Sequence, residues 1–200
     1  MRTRITWAGK SWFVALLVFA AEGTATAGVN GGQLDGFYVP VRGWAETQGV
    51  SRPGEPPTQI GTYRIVLKRE GWRALPLEEK RRIRRRLVLT GSLIGAMVDP
   101  STSPPTEDHV MGTRARDGAL YSAGDYLVIQ AGDLSCSEGL PLDVLETINV
   151  VQGTGAYESL ESGTLELEGV VNICPRQPDY GRNDFEVIPG AGGLTFRPLP

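Results

Sequence analysis

The 200-residue chain contains one histidine and two cysteines. This scarcity limits the chemistry open to it. A Ser-His-acid hydrolase would have to use His109, and no Gly-x-Ser-x-Gly elbow is there to present a nucleophile. Cys136, Cys174 and His109 cannot complete a structural zinc site without carboxylates, so no metal is expected. No cofactor is expected either. The phosphate-binding loops of nucleotide enzymes are also missing. Their freed backbone N–H groups sit at a helix N-terminus, and the dinucleotide fingerprint needs three glycines with a helix after them. Here Gly153-Thr154-Gly155 is followed by Glu158 in the third position, and no lysine stands in the P-loop place. The next residues, "TLELEGVV", set Leu165 and Leu167 against Glu166 and Glu168. That is strand alternation, so the glycines are expected to turn a β-meander.

No apolar run reaches the roughly 20 residues of a membrane helix. The longest, Ser11–Ala21, follows Arg2, Arg4 and Lys10 and precedes Ala25-Thr26-Ala27. This is the anatomy of a signal peptide cleaved after Ala27. Residues 1–27 are therefore expected to be a signal peptide and 28–200 a single β-domain, secreted or periplasmic, with no membrane span after cleavage. The remaining 173 residues would carry 17 basic and 22 acidic side chains, which does not suit a specific nucleic-acid binder. In an oxidising compartment Cys136 and Cys174 are expected to pair, closing a loop of nearly forty residues.

Glycine is abundant, 26 of 200 and spread along the chain, which points to many turns. Residues 28–60 are rich in Gly and Pro and are expected to be partly irregular, with Pro40 forcing an edge or a bulge on a first strand near "GFYVPVRGWAE". "TYRIVLKRE" (62–70) alternates as a half-buried strand with Tyr63, Ile65 and Leu67 on one face. "LPLEEKRRIRRR" (75–86) is the one helical stretch, and a short one. In "RLVLTGSLIGAMV" (86–98), Leu87, Leu89, Leu93 and Met97 share a face with Gly91 and Gly95, which permit bending or close approach. Residues 99–108 are expected to be a loop. Strands follow at 109–116 and 119–130, joined through Asp117-Gly118, then at 144–159 and 163–173, with "FEVIPGAGG" and "LTFRP" closing the chain. Many strands, close turn signals and almost no helix describe an all-β protein.

Two stretches resemble a known group. Gly153-Thr154-Gly155-Ala156-Tyr157, then Gly163-Thr164-Leu165 and Gly169, resemble the late hairpin of the allene oxide cyclase-like and dirigent-like β-barrels, and "DGALYSAGDYLVI" (117–129) resembles their preceding hairpin. The match covers roughly residues 110–172. It implies a single antiparallel closed barrel of about eight strands, with long loops and at most one short helix. It assigns no catalytic residue.

The candidate site residues have bland readings beside the functional ones. His109 is the one imidazole near neutral pKa. Glu107 and Asp108 precede it and could raise its pKa or form a weak metal site, yet Ser-Pro-Pro before them suggests an exposed loop. Asp125 falls on a strand face with Tyr121, Leu127 and Ile129, where a carboxylate must find a donor or shift upward. It could serve as an acid–base group in the barrel mouth or cap a turn at the rim. Tyr63, Tyr121, Tyr126 and Tyr157 are candidate walls for a ligand. Lys80, Arg81, Arg82, Arg84, Arg85 and Arg86 could dock an anionic surface or form a solvated patch. The leading functional expectation is a binder of a small apolar or aromatic molecule. A cofactor-free cyclase or isomerase and a pocketless extracellular interaction protein are the alternatives. A cavity with an inward ionisable group would favour the enzyme, and a barrel filled by its own side chains would exclude both pocket readings.

Overall fold

A computed structural model describes residues 32–50, 56–99, 104, 106–113 and 117–198. The expected signal peptide lies outside the described residues. Among the described residues nine strands run in chain order: β1 (Gly36–Gly49), β2 (Thr58–Arg69), β3 (Arg86–Asp99), β4 (Thr106–Thr113), β5 (Ala119–Ser122), β6 (Asp125–Ala131), β7 (Leu142–Gly153), β8 (Leu160–Val171) and β9 (Arg182–Phe196). All neighbours pair antiparallel, and the sheet closes through β3–β4. β5 and β6 share one place in the wall, each lying between β4 and β7. The result is the expected eight-place closed barrel with one extra strand. The only α-helix described, α1, is the six-residue Leu77–Arg82.

Period-two patterning builds the interior. Tyr63, Ile65 and Leu67 of β2 are buried as their alternation requires, and so are Leu87, Leu89 and Leu93 of β3. β1 is a regular strand paired on both sides, and its register shifts between Pro40 and Arg42, the bulge that proline calls for. The turn after β7 settles the reading of Gly153-Thr154-Gly155. A single 3-10 turn, Gly155–Tyr157, leads straight into β8, so these glycines turn a hairpin. "FEVIPGAGG" and "LTFRP" belong to one strand, β9, and the β8 register shifts between Leu165 and Leu167 opposite its glycines. Cys136 and Cys174 form the expected disulfide.

Two differences from the sequence reading matter for the site. The stretch 99–108 is not all loop. β4 begins at Thr106, so Glu107 and Asp108 join His109 on the strand, and pairing of Ala96 with Asp108 and Gly95 with His109 fixes them to β3. Loop-like composition was outweighed by a long partner strand that needed its edge paired. Likewise 119–130 is two strands. Gly124 takes φ 67°, a left-handed conformation that suits glycine. Its N–H donates to Asp108 Oδ1 (2.9 Å) and its carbonyl accepts from Asn149 Nδ2 (3.0 Å). This break brings Ser122, rather than Tyr121, to Asp125.

The two ends of the barrel differ. One end is filled by Tyr38, Leu67, Leu87, Leu120, Leu194 and Phe196, all almost fully buried. The other end is where Thr47, Gln59, Glu107, Asp125, Glu146 and Asn183 come together.

Candidate functional site

At this second end the inward positions of several strands turn polar. β2 carries Gln59 in phase with Tyr63, and β4 carries Glu107 and His109 in phase with buried Met111. β7 reads Leu142, Val144, Glu146, Ile148, Val150 along its inner face, all buried. Gly95 makes the arrangement possible. It pairs with Gln59 on one side and His109 on the other. A Cβ there would lie 2.7 Å from His109 Nε2 and 2.9 Å from Gln59 Cγ. Gly95→Val is therefore expected to push the imidazole aside and to cost about 1–3 kcal/mol as an overpacked site. Urea unfolding and the imidazole NMR shifts would check both effects.

His109 is 1% exposed, which overturns the expectation of an exposed loop histidine. Its Nδ1 lies 2.6 Å from Asp125 Oδ2. Asp125 is fully buried and well supplied with donors: the backbone N–H of Asn149 reaches Oδ1 at 2.6 Å, and the Ser122 hydroxyl donates to Oδ2. Ser122 Oγ in turn accepts the backbone N–H of His109 at 2.7 Å. The residue types of a hydrolytic triad are thus present but wired differently. The serine serves the aspartate, while the outer ring nitrogen looks elsewhere.

That nitrogen, Nε2, faces Glu146 Oε1 at 3.5 Å and Glu107 Oε2 at 3.8 Å. Gln59 Nε2 also stands 3.3 Å from it and donates to Glu107 Oε2 at 3.1 Å. The orientation of the Gln59 amide is fixed from behind. Its Oε1 accepts from Thr47 Oγ1 (2.6 Å) and from Asn183 Nδ2 (3.2 Å). An amide N–H pointed at Nε2 assigns the proton of the neutral ring to Nδ1 and leaves the lone pair on Nε2.

Three carboxylates surround one imidazole, and no lysine or arginine among the described residues pairs with them. Burial pushes the Glu146 carboxyl up to about 7, only partly offset by His109. Burial also raises Glu107 above the usual carboxylate range. For His109, burial opposes protonation, but the hydrogen bond to Asp125 and the charges of Glu146, Asp125 and Glu107 outweigh it and hold the ring above its ordinary value. Burial thus raises the two glutamates, while the carboxylates around the ring raise the imidazole, so each of the three groups is pushed toward its protonated form.

A cavity of about 470 Å³ opens above the cluster. Its apolar wall is Met97, Leu127, Val171, Ile173 and Phe185, and its polar wall includes Gln59, Glu107 and Asn183. Glu107, with a 23% exposed side chain, links this cavity to the buried imidazole. The four tyrosines expected as ligand walls lie apart from it, and the tyrosine that does line it is Tyr180. Tyr63 and Tyr157 are buried in the core, Tyr121 is half-buried on a wall strand, and Tyr126 is 38% exposed; none lines the cavity. The basic segment is at the filled end. There Arg84 donates to the Gly32 carbonyl and Lys80 to the Arg73 carbonyl, while Arg81, Arg82, Arg85 and Arg86 are exposed.

No family model, curated protein or solved structure matches the chain. The site therefore has to be read from its own chemistry. Gln59 and Glu146 are the residues that sequence reasoning missed. Alternation could have found Glu146, a lone carboxylate in phase with four buried aliphatics. Gln59 had no such mark, since it precedes the stretch that alternates visibly.

Proposed function

We propose that this is an exported barrel that binds a small, mainly apolar molecule in its mouth, with the molecule's polar end against Glu107 and Gln59. The carrying observation is the 470 Å³ cavity with one aliphatic–aromatic wall and one carboxylate wall. Such a combination, mostly apolar with few placed polar groups, is what small-molecule sites share. An acceptor-rich wall selects a ligand with a hydrogen-bond donor or a cationic group at one end. Export is supported by the amino-terminal sequence pattern and by the disulfide, which belongs to oxidising compartments.

Catalysis in the same cavity is a second reading, and Glu107 favours it. This is an ionisable group in the cavity wall, backed by His109 and Asp125, so it can exchange a proton with a bound molecule. The reaction class would be isomerisation or cyclisation, as the allene oxide cyclase-like resemblance implies.

Native mass spectrometry of the protein, produced from the full chain in a host with an oxidising periplasm, tests the binding reading. The expected result is an organic adduct that leaves on denaturation and is missing from Ile173→Trp, which fills the cavity. Binding is refuted if no adduct appears and a panel of apolar amines and alcohols shifts the melting temperature of wild type and Ile173→Trp alike.

A further inference from the structure

The buried cluster beneath the cavity holds three potential ligand atoms around one point: Nε2 of His109 and one carboxylate oxygen each from Glu107 and Glu146, all within 4.8 Å of one another. We propose that these three side chains bind a divalent first-row transition-metal ion, with Asp125 as the outer-shell partner of the histidine and a coordination position open to the cavity.

Several independent observations support this. The first is spacing. Ligand atoms about 2.1 Å from a tetrahedral ion lie about 3.4 Å apart. Nε2 is 3.5 Å from Glu146 Oε1 and 3.8 Å from Glu107 Oε2, so small side-chain movements are enough. The second is the ring. Metal-bound histidines almost always donate their other N–H to a carboxylate, a backbone carbonyl or a water, which fixes the tautomer. His109 does so to Asp125 at 2.6 Å, and Gln59 leaves the lone pair on the inward nitrogen. The third is Glu146. It is 4% exposed and points its carboxylate at the ring, its one described partner being His109 Nε2 at 3.5 Å. A buried carboxylate with a single partner at that distance is poorly compensated, and a cation between the two groups improves this. The fourth is composition. The carboxyl groups of Glu107, Asp125 and Glu146 surround one imidazole, and no lysine or arginine among the described residues pairs with them, a setting that suits a divalent ion.

The donor set selects the ion. One imidazole with two carboxylates suits zinc, manganese or iron better than a soft thiolate-seeking ion such as copper(I). Three protein ligands and an open fourth position are the pattern of reactive zinc sites rather than structural ones. Glu107 belongs both to the cluster and to the cavity wall, so the open position faces the proposed ligand. An enzyme in this barrel would then be metal-assisted rather than cofactor-free.

The test is zinc retention. Protein from the full chain is stripped with a chelator, dialysed against zinc chloride and then against metal-free buffer, and zinc per chain is measured by plasma mass spectrometry. One zinc per chain is expected for wild type, and none for Glu146→Gln. Asp125→Asn should bind about 10–100-fold more weakly, as for other outer-shell partners. Folding is controlled by the near-UV circular dichroism of each metal-free protein. Glu146→Gln should keep it, because the change removes a charge whose one described partner is the ring nitrogen 3.5 Å away. Wild-type protein that is folded but retains no zinc overturns the proposal, and so does zinc retained equally by Glu146→Gln. The Ile173→Trp variant separates this result from the ligand reading, since it should lose an organic adduct and keep the zinc.

Discussion

Asp125→Ala is expected to lower the stability of the barrel by about 3–5 kcal/mol, the range for removing one partner of a buried charged pair. Asp125 is 0% exposed and accepts from His109 Nδ1, Ser122 Oγ and the Asn149 backbone N–H. Alanine leaves the His109 Nδ1–H and the half-buried Asn149 N–H without their acceptor and the Ser122 hydroxyl with only the His109 carbonyl at 3.4 Å, and each charge-assisted bond contributes about 1.5–3 kcal/mol. A purely Coulombic view predicts the opposite sign, because the cluster has an excess of negative charge. The hydrogen bonds decide the matter. Asp125 has three donors, whereas Glu146 has only the ring nitrogen at 3.5 Å. Of two carboxylates in one cluster, removing the first should therefore destabilise. Neutralising the second as Glu146→Gln should leave the metal-free protein as stable as before or more so. Urea unfolding of both variants without metal measures the contrast. Equal effects of the same sign would show that net charge, not donor supply, governs the cluster.

At the filled end, Tyr38→Ala is expected to cost about 3–5 kcal/mol, as large-to-small changes of buried aromatic residues do. The Tyr38 ring meets Phe196 edge-to-face with centroids 5.6 Å apart. Its hydroxyl donates to the Arg84 carbonyl at 2.7 Å, so it also fastens the basic segment to the barrel end. The two contributions separate cleanly. Tyr38→Phe keeps the ring and should cost only about 1 kcal/mol for the lost hydrogen bond. A domain's whole stability is about 5–15 kcal/mol, so the alanine variant should unfold well below the wild-type urea midpoint. A midpoint for Tyr38→Ala close to that of Tyr38→Phe would mean that the ring carries little of the packing.

The closed end and the open end were legible to different degrees. Alternation on β2, β3 and β8 is a local property, since residues two apart share a face whatever the partner strand does. Tyr63, Ile65, Leu89, Leu165 and Leu167 therefore declared themselves inward before any fold was known. Asp125 was marked as needing a donor by its place on an apolar face, but alternation left open whether it served the barrel mouth or capped a turn at the rim. Gly91 and Gly95 showed where the wall permits close approach, but not that an imidazole would occupy the space beside Gly95.

The sequence by itself determined an all-β chain, its turn at Gly153-Thr154-Gly155, and the one pair of cysteines able to bridge. These follow from short-range patterning and from composition. Only the tertiary structure decided that His109 is buried, that the loop-like "TED" before it is strand, and that Glu107, His109, Asp125 and Glu146 meet beneath a cavity. The reason is closure. These residues come from three strands of the wall, β4, β6 and β7, and Gln59 joins them from β2. Their distances are set by the barrel's register, which no stretch of sequence contains.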